Sequence, residues 1–201
     1  MSEMAAAATT IPDPPPDEPV RIRPITVDEY HRMLEAGILY EREPVELLDG
    51  QLIAVPPEGP LHSSVVSDLM HDFVLRFGSR AIVRAGNPVT LPPVSEPQPD
   101  LALVRRRGTG YSEAHPEPED VLLVVEVSHS SLRYDRREKL AAYARAGILE
   151  VWIVDLVHRA VEVYSEPAEA GYGITRVAGR DDTLAPRAFP DDAIPVASFL
   201  P

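Results

Sequence analysis

The apolar positions of this chain change period several times, and each change marks an element. The first periodic stretch opens at Thr26-Val27-Asp28-Glu29, where a hydroxyl side chain precedes a glutamate by three residues. That spacing is a capping box. It predicts a helix to about Ala36, closed by Gly37. Strand-like runs follow in Val45-Glu46-Leu47-Leu48 and Gln51-Leu52-Ile53-Ala54, on either side of Asp49-Gly50. Asp-Gly between such runs is a two-residue hairpin signal. The turn pairs Leu48 with Gln51 and Glu46 with Ile53, so Glu46 stands in a strand on the face of Leu48.

A 3.6-residue period returns after Pro60. His62, Val66, Leu69 and Phe73 share one face of a helix running to about Phe77, so His62 points inward near its N-terminus. Short strands are predicted near Arg80–Arg84 and Pro88–Leu91, joined by the Gly86-Asn87-Pro88 turn. Pro97-Gln98-Pro99-Asp100 opens the apolar run Leu101–Val104, and residues 106–119 read as a polar loop. Val121–Val127 is almost continuously apolar and β-branched, which marks a central strand buried on both faces. Asp135-Arg136-Arg137-Glu138 predicts a second capped helix, with Asp135 at the N-cap and Gly147 beyond its end. Glu150–Leu156 and Val161–Tyr164 read as a hairpin across Val157–Arg159, and Gly171–Val177 as an edge strand.

Residues 1–22, rich in Ala, Thr, Pro and acids without periodicity, read as a disordered tail. That leaves residues 23–201 as one domain, and a 44% hydrophobic content is enough for one sizeable core. Cysteine is absent, so disulfides and thiolate metal sites are excluded. A metal here would be a hard divalent ion such as Mg²⁺ or Mn²⁺, held by carboxylates with or without histidine. No leader pattern is visible and no apolar run approaches the ~18 residues of a membrane span, so a cytoplasmic location with no membrane partner is expected.

The net charge of −13 argues against broad coating of a polyanion. Its distribution changes that picture. Residues 1–20 carry four acids and no bases, and residues 150–201 carry nine acids and four bases. The body between them is nearly balanced. Basic clusters stand at Arg105-Arg106-Arg107 and at Arg133, Arg136, Arg137 and Lys139, so a local basic cleft is compatible with the chain.

The chemistry gathers around Glu126. A carboxylate inside Val121–Val127 is costly to bury alone, so it requires a cation: a metal, Arg133 or Lys139. Lys139 is the one lysine among 19 Lys and Arg residues. Its compact ammonium has a movable pKa, whereas arginine stays protonated. Asp100 stands at the mouth of another strand. Two carboxylates on neighbouring strands, with Lys139 on the following helix, fit a divalent ion and a substrate phosphate. The lysine would orient a water or offset developing negative charge. Tyr143 lies one helical turn beyond Lys139, where it either holds the ammonium or packs in the core. His62 reads equally as a core or capping histidine, and Arg105–Arg107 as a solvated loop or a contact to a nucleic-acid backbone.

One ordered series extends this reading. It comprises Val45-Glu46-Leu47-Leu48-Asp49-Gly50, His62, Pro99-Asp100, Val125-Glu126-Val127-Ser128, Asp135-x-x-x-Lys139-Leu140-x-x-Tyr143-Ala144-x-x-Gly147 and Glu150-Val151-Trp152-Ile153-Val154-Asp155. The series resembles the Uma2 family, restriction-endonuclease-like proteins of the PD-(D/E)XK nuclease superfamily, over about residues 24–200. The resemblance implies an α/β (α+β) fold: a restriction-endonuclease-like core whose mixed central sheet is flanked by helices, with additional β-hairpins. It implies Asp100 and Glu126 as metal ligands, Glu46 as a further acid near the metal, and His62 as the family's histidine. The usual superfamily lysine, two residues after the glutamate, is here Ser128. The resemblance implies that Lys139 supplies it from the next helix.

The implied activity is Mg²⁺- or Mn²⁺-dependent hydrolysis of DNA by a homodimer, with Arg105, Arg106, Arg107, Arg133 and Arg136 as candidate DNA contacts. Two alternatives stay open: the same fold as a binding or regulatory module with weak or no catalysis, and the same site acting on RNA.

Overall fold

A computed structural model describes residues 21–40, 43–108 and 110–201. The expected tail over residues 1–22 lies outside the described residues, apart from Arg21 and Ile22, which form no regular element. The first helix, α1 (Val27–Glu35), begins at the capping box. Thr26 Oγ1 accepts from the Glu29 N–H at 3.2 Å, and Glu29 Oε2 accepts from the Thr26 N–H at 3.0 Å. Strands β1 (Val45–Leu48) and β2 (Gln51–Ala54) form the hairpin in the expected register, Glu46 opposite Ile53 and Leu48 opposite Gln51. Gly50 has φ 73°, and a Cβ there would collide with Pro24, so the turn needs glycine for two reasons.

Helix α2 (Pro60–Phe77) buries Val65, Leu69, Phe73 and Phe77. This row has a strict four-residue spacing, so Val65 takes the inward place expected of Val66, which is half-buried. Each of these apolar side chains contributes about 1.5–3 kcal/mol on full burial. They pack on one face of a six-stranded sheet, together with Leu101, Leu103, Leu123, Val125 and Trp152.

The sheet has the order β3 (Ala81–Ala85), β4 (Leu101–Arg105), β5 (Val121–Ser128), β6 (Glu150–Asp155), β7 (Ala160–Ala168), β8 (Gly171–Ala178). Only β5 and β6 are parallel. A parallel pair needs a crossover, and the helical segment after β5 supplies it. That segment comprises α3 (Leu132–Tyr134), a π-helical turn (Asp135–Lys139) and α4 (Leu140–Arg145). Two short strands, β9 (Thr183–Leu184) and β10 (Ile194–Pro195), close the C-terminal region. The fold is therefore the expected mixed sheet flanked by helices, with the β1–β2 hairpin added at one end.

Two expected elements differ. Residues 88–91 are not a strand paired with β3, and Leu91 makes only an isolated bridge to Ser95. Pro88, Pro92 and Pro93 lack the N–H groups a ladder requires, and the apolar β4 pairs with β3 instead. Asp135 is not an N-cap either. The helical segment starts earlier, at Leu132, and Asp135 lies within it.

The period-2 alternation of β5 decides where the chemistry lies. Leu123, Val125 and Val127 face α2, while Val124 faces the opposite layer with Tyr143, Ile148 and Ile153. Glu126 falls in the second set. It therefore meets the helical crossover and not α2.

Candidate active site

Asp100 immediately precedes β4, whose Leu101 pairs with Val125 of β5. Continuing that antiparallel register sets Asp100 beside Glu126. The join is closed by a short hydrogen bond: Asp100 Oδ2 accepts from the Val127 N–H at 2.6 Å. The other oxygen, Oδ1, lies 3.2 Å from His62 Nε2. His62 stands in the first turn of α2, which reaches Asp100 across the end of the sheet. Its Nδ1 is 3.3 Å from Glu58 Oε2, in a geometry that makes no hydrogen bond. Glu58, His62 and Asp100 each present a ligand atom within 4.8 Å of the others.

Glu126 is 2% exposed. Lys139 Nζ lies 3.2 Å from its Oε1 and 3.3 Å from its Oε2, and Tyr143 OH donates to Oε1 at 2.6 Å. The same ammonium lies 3.4 Å from Glu46 Oε2 and donates to the Gln98 carbonyl at 3.3 Å. Glu46 is held from two further sides: Gln98 N–H donates to Oε2 at 2.9 Å and Tyr134 OH to Oε1 at 3.1 Å. Lys139 thus bridges the β1–β2 hairpin and the central strand.

Charge balance follows from these contacts. Burial drives the Lys139 pKa down, but the Glu126 and Glu46 carboxylates outweigh it and hold the ammonium charged. Burial pushes Glu126 up, against the pull of Lys139. Tyr143 and Tyr134 are both raised, by burial and then by the carboxylates they face, so each remains a donor. The bond from Asp100 raises His62 above its ordinary value. Burial raises Asp135, which accepts from Ser128 Oγ at 2.6 Å. Ser128 stands two residues after Glu126, where the resemblance implied a lysine. Here its hydroxyl anchors the start of the crossover.

A family model described as "putative restriction endonuclease", Uma2, matches residues 27–197. The chain belongs to the Uma2 family. A crystal structure from Anabaena variabilis, titled "a putative nuclease belonging to DUF820", superposes with a TM-score of 0.69 at 19% identity. The match covers 88% of this chain and 97% of that one, and it shows a shared fold. No curated protein matches.

Within this Uma2 protein the structure gathers Glu46, His62, Asp100, Glu126, Lys139 and Tyr143 at one end of the sheet. It does not gather the arginines. Arg105, Arg106 and Arg107 lie at the other end of β4, about 17 Å of strand from Asp100 at ~3.3 Å per residue. They bind their own chain: Arg105 Nε donates to Glu119 O at 2.9 Å, Arg106 to Gly78 O at 2.9 Å, and Arg107 pairs with Asp120 at 2.6 Å. Arg136 is likewise engaged by Asp155 at 2.7 Å and by Glu162. Arg133 is exposed, and lines a shallow depression with His129, Ser130 and Arg137 just beyond β5. Among the described residues no helix is long and apolar enough to cross a membrane.

Sequence reasoning missed Glu58, Gln98 and Tyr134. Glu58 and His62 have the i,i+4 spacing that could have paired them. Gln98 meets Glu46 and Lys139 through its backbone, whatever its side chain, which donates to the Val45 carbonyl at 3.2 Å. Tyr134 precedes Lys139 by five residues, a spacing no α-helical pattern selects.

Proposed function

We propose that this chain is a divalent-metal-dependent nuclease that hydrolyses DNA phosphodiester bonds. One observation carries the reading: a single ammonium, Lys139, is held charged against Glu126, on the strand beside Asp100. The donor set suits a hard cation. Asp100, Glu126 and Glu46 bring three carboxylates to a site with one permanent cation, and His62 adds an imidazole with a poorly partnered Nδ1. Oxygen donors with one nitrogen are compatible with Mg²⁺ or Mn²⁺. Asp100 and Glu126 would hold the ion, with His62 and Glu58 as the adjoining donors.

When bound there, a divalent ion supplies a Lewis acid for the phosphoryl oxygens. The rest falls to the chain. Lys139 is placed to orient the attacking water and to offset negative charge on the phosphate as the ester P–O bond breaks. Tyr143 fixes Glu126 Oε1 by its hydrogen bond. Glu46, which stands on the β1–β2 hairpin and is tied there to the Gln98 N–H, Tyr134 and Lys139, is better suited to hold Lys139 than to contact metal. Arg133 is the basic residue best placed to meet a phosphate backbone. Cutting both strands of a duplex calls for two sites, which a two-fold dimer would provide.

The test is nicking of supercoiled plasmid with Mg²⁺ or Mn²⁺, comparing the natural chain with Glu126→Ala and Lys139→Ala, with an RNA substrate in parallel. Cleavage by the natural chain that both substitutions abolish supports the reading. Cleavage that survives both removes it, and cleavage confined to RNA changes the substrate. Sedimentation of the chain with and without DNA tests the dimer.

A further inference from the structure

Tyr134, Lys139 and Tyr143 all reach the Glu46–Glu126 pair, although they are five and four residues apart. A continuous α-helix cannot arrange this. At ~100° per residue, Tyr134 would be rotated about 140° from Lys139, toward the far side of the helix. The chain instead makes one π-helical turn over Asp135–Lys139, in which the Leu140 N–H donates to the Asp135 carbonyl. This wider turn swings Tyr134 back toward the face of Lys139, and the following α-turn adds Tyr143. The first two residues of the turn are anchored to the sheet. Ser128 Oγ donates to Asp135 Oδ2 at 2.6 Å, and Arg136 pairs with Asp155 at 2.7 Å.

We infer that the π turn is the device that aims the lysine, and that Tyr134 is a positioning residue for it. The phenol holds Glu46 Oε1, leaving Oε2 for the ammonium; on the next turn Tyr143 holds Glu126 Oε1, and Lys139 touches both oxygens of that carboxylate. Two tyrosine donors from one helix face fix two carboxylates, and the carboxylates fix Lys139 between them. The lysine needs this outside support because it comes from a helix. A lysine at position 128 would be aimed by the strand itself. The inference rests on the nuclease reading only for its effect on activity; the geometric part stands apart from it.

The presence of a single lysine makes the test direct, because lysine-selective ¹⁵N labelling yields one side-chain ammonium resonance. That resonance is expected to be sharp and protected from solvent exchange in the natural chain. In Tyr134→Phe it is expected to shift and broaden, with the melting temperature changed by only a few degrees. Where the chain cleaves DNA, kcat is expected to fall about tenfold at unchanged KM. Glu46→Gln should move the resonance in the same direction.

An ammonium resonance absent from the natural chain, or unaltered in Tyr134→Phe, overturns the inference. If Tyr134→Phe unfolds, Tyr134→His, a polar ring too short to reach Glu46 Oε1, decides the matter: a shifted and broadened resonance supports the positioning role and an unaltered one rejects it. A chain that cleaves nothing but shows the expected spectral change refutes the nuclease reading and leaves the positioning role standing.

Discussion

Lys139 Nζ lies 3.2 Å from Glu126 Oε1, joining the central strand to the crossover helix thirteen residues later. Both groups are buried, and neither could be charged at reasonable cost without the other. Lys139→Met strands Glu126 and Glu46 without their cation and should cost about 3–5 kcal/mol of stability, read by urea unfolding. Lys139→Arg keeps the charge, but its planar fork does not reproduce a point ammonium. It should fold and lose most cleavage, on the order of a hundredfold, in a plasmid-nicking assay.

The two kinds of carboxylate in the site should separate by metal response. Asp100→Asn and Glu126→Gln are expected to abolish the rise in melting temperature that Mg²⁺ or Mn²⁺ produces by binding the folded state. Glu46→Gln is expected to keep most of that rise while losing cleavage. Differential scanning fluorimetry across a metal titration distinguishes them. Equal loss in all three variants would return Glu46 to the metal.

His62 should make metal uptake depend on pH. Its pKa is raised, first by the hydrogen bond to Asp100. The stability this pair contributes is therefore complete below the ordinary value of 6.5 and lost as pH rises through the higher folded value. A cation that takes Asp100 or His62 displaces this interaction. Metal affinity should accordingly increase between about pH 6 and pH 8, and the increase should flatten in His62→Gln. Isothermal titration at several pH values measures it.

Tyr143 gives Glu126 its shortest hydrogen bond, 2.6 Å, inside the core. Tyr143→Phe keeps the ring and removes the donor. Hydrogen bonds to charged groups are worth about 1.5–3 kcal/mol, and the variant should lose that amount in chemical denaturation. An unchanged midpoint would mean that another donor or water replaces the phenol.

The parts of this protein legible in the sequence are those set by local backbone geometry. The capping box at Thr26 and Glu29 and the Asp49-Gly50 turn specify contacts within three residues. The hairpin register, which places Glu46 opposite Ile53, follows from that turn alone. The apolar run around Glu126 marks a buried carboxylate because a short, β-branched run of that kind is the pattern of a strand covered on both faces. The single lysine and the Uma2-like order of motifs then pointed to a site.

Tertiary structure decided the remainder. Which strand pairs with β3, and that Arg105–Arg107 lie far from Asp100, depend on strand order and direction, which no local spacing encodes. Tyr134 and Lys139 are brought toward one face because one turn of the crossover is widened to a π turn, whereas a 3.6-residue pattern places them apart. Gln98 enters through its backbone, invisible to residue type. The sequence by itself determined which groups required a partner. The folded chain determined which partner each one met, because segments around residues 46, 98, 126, 134 and 139 converge only when sheet, hairpin and crossover are packed together.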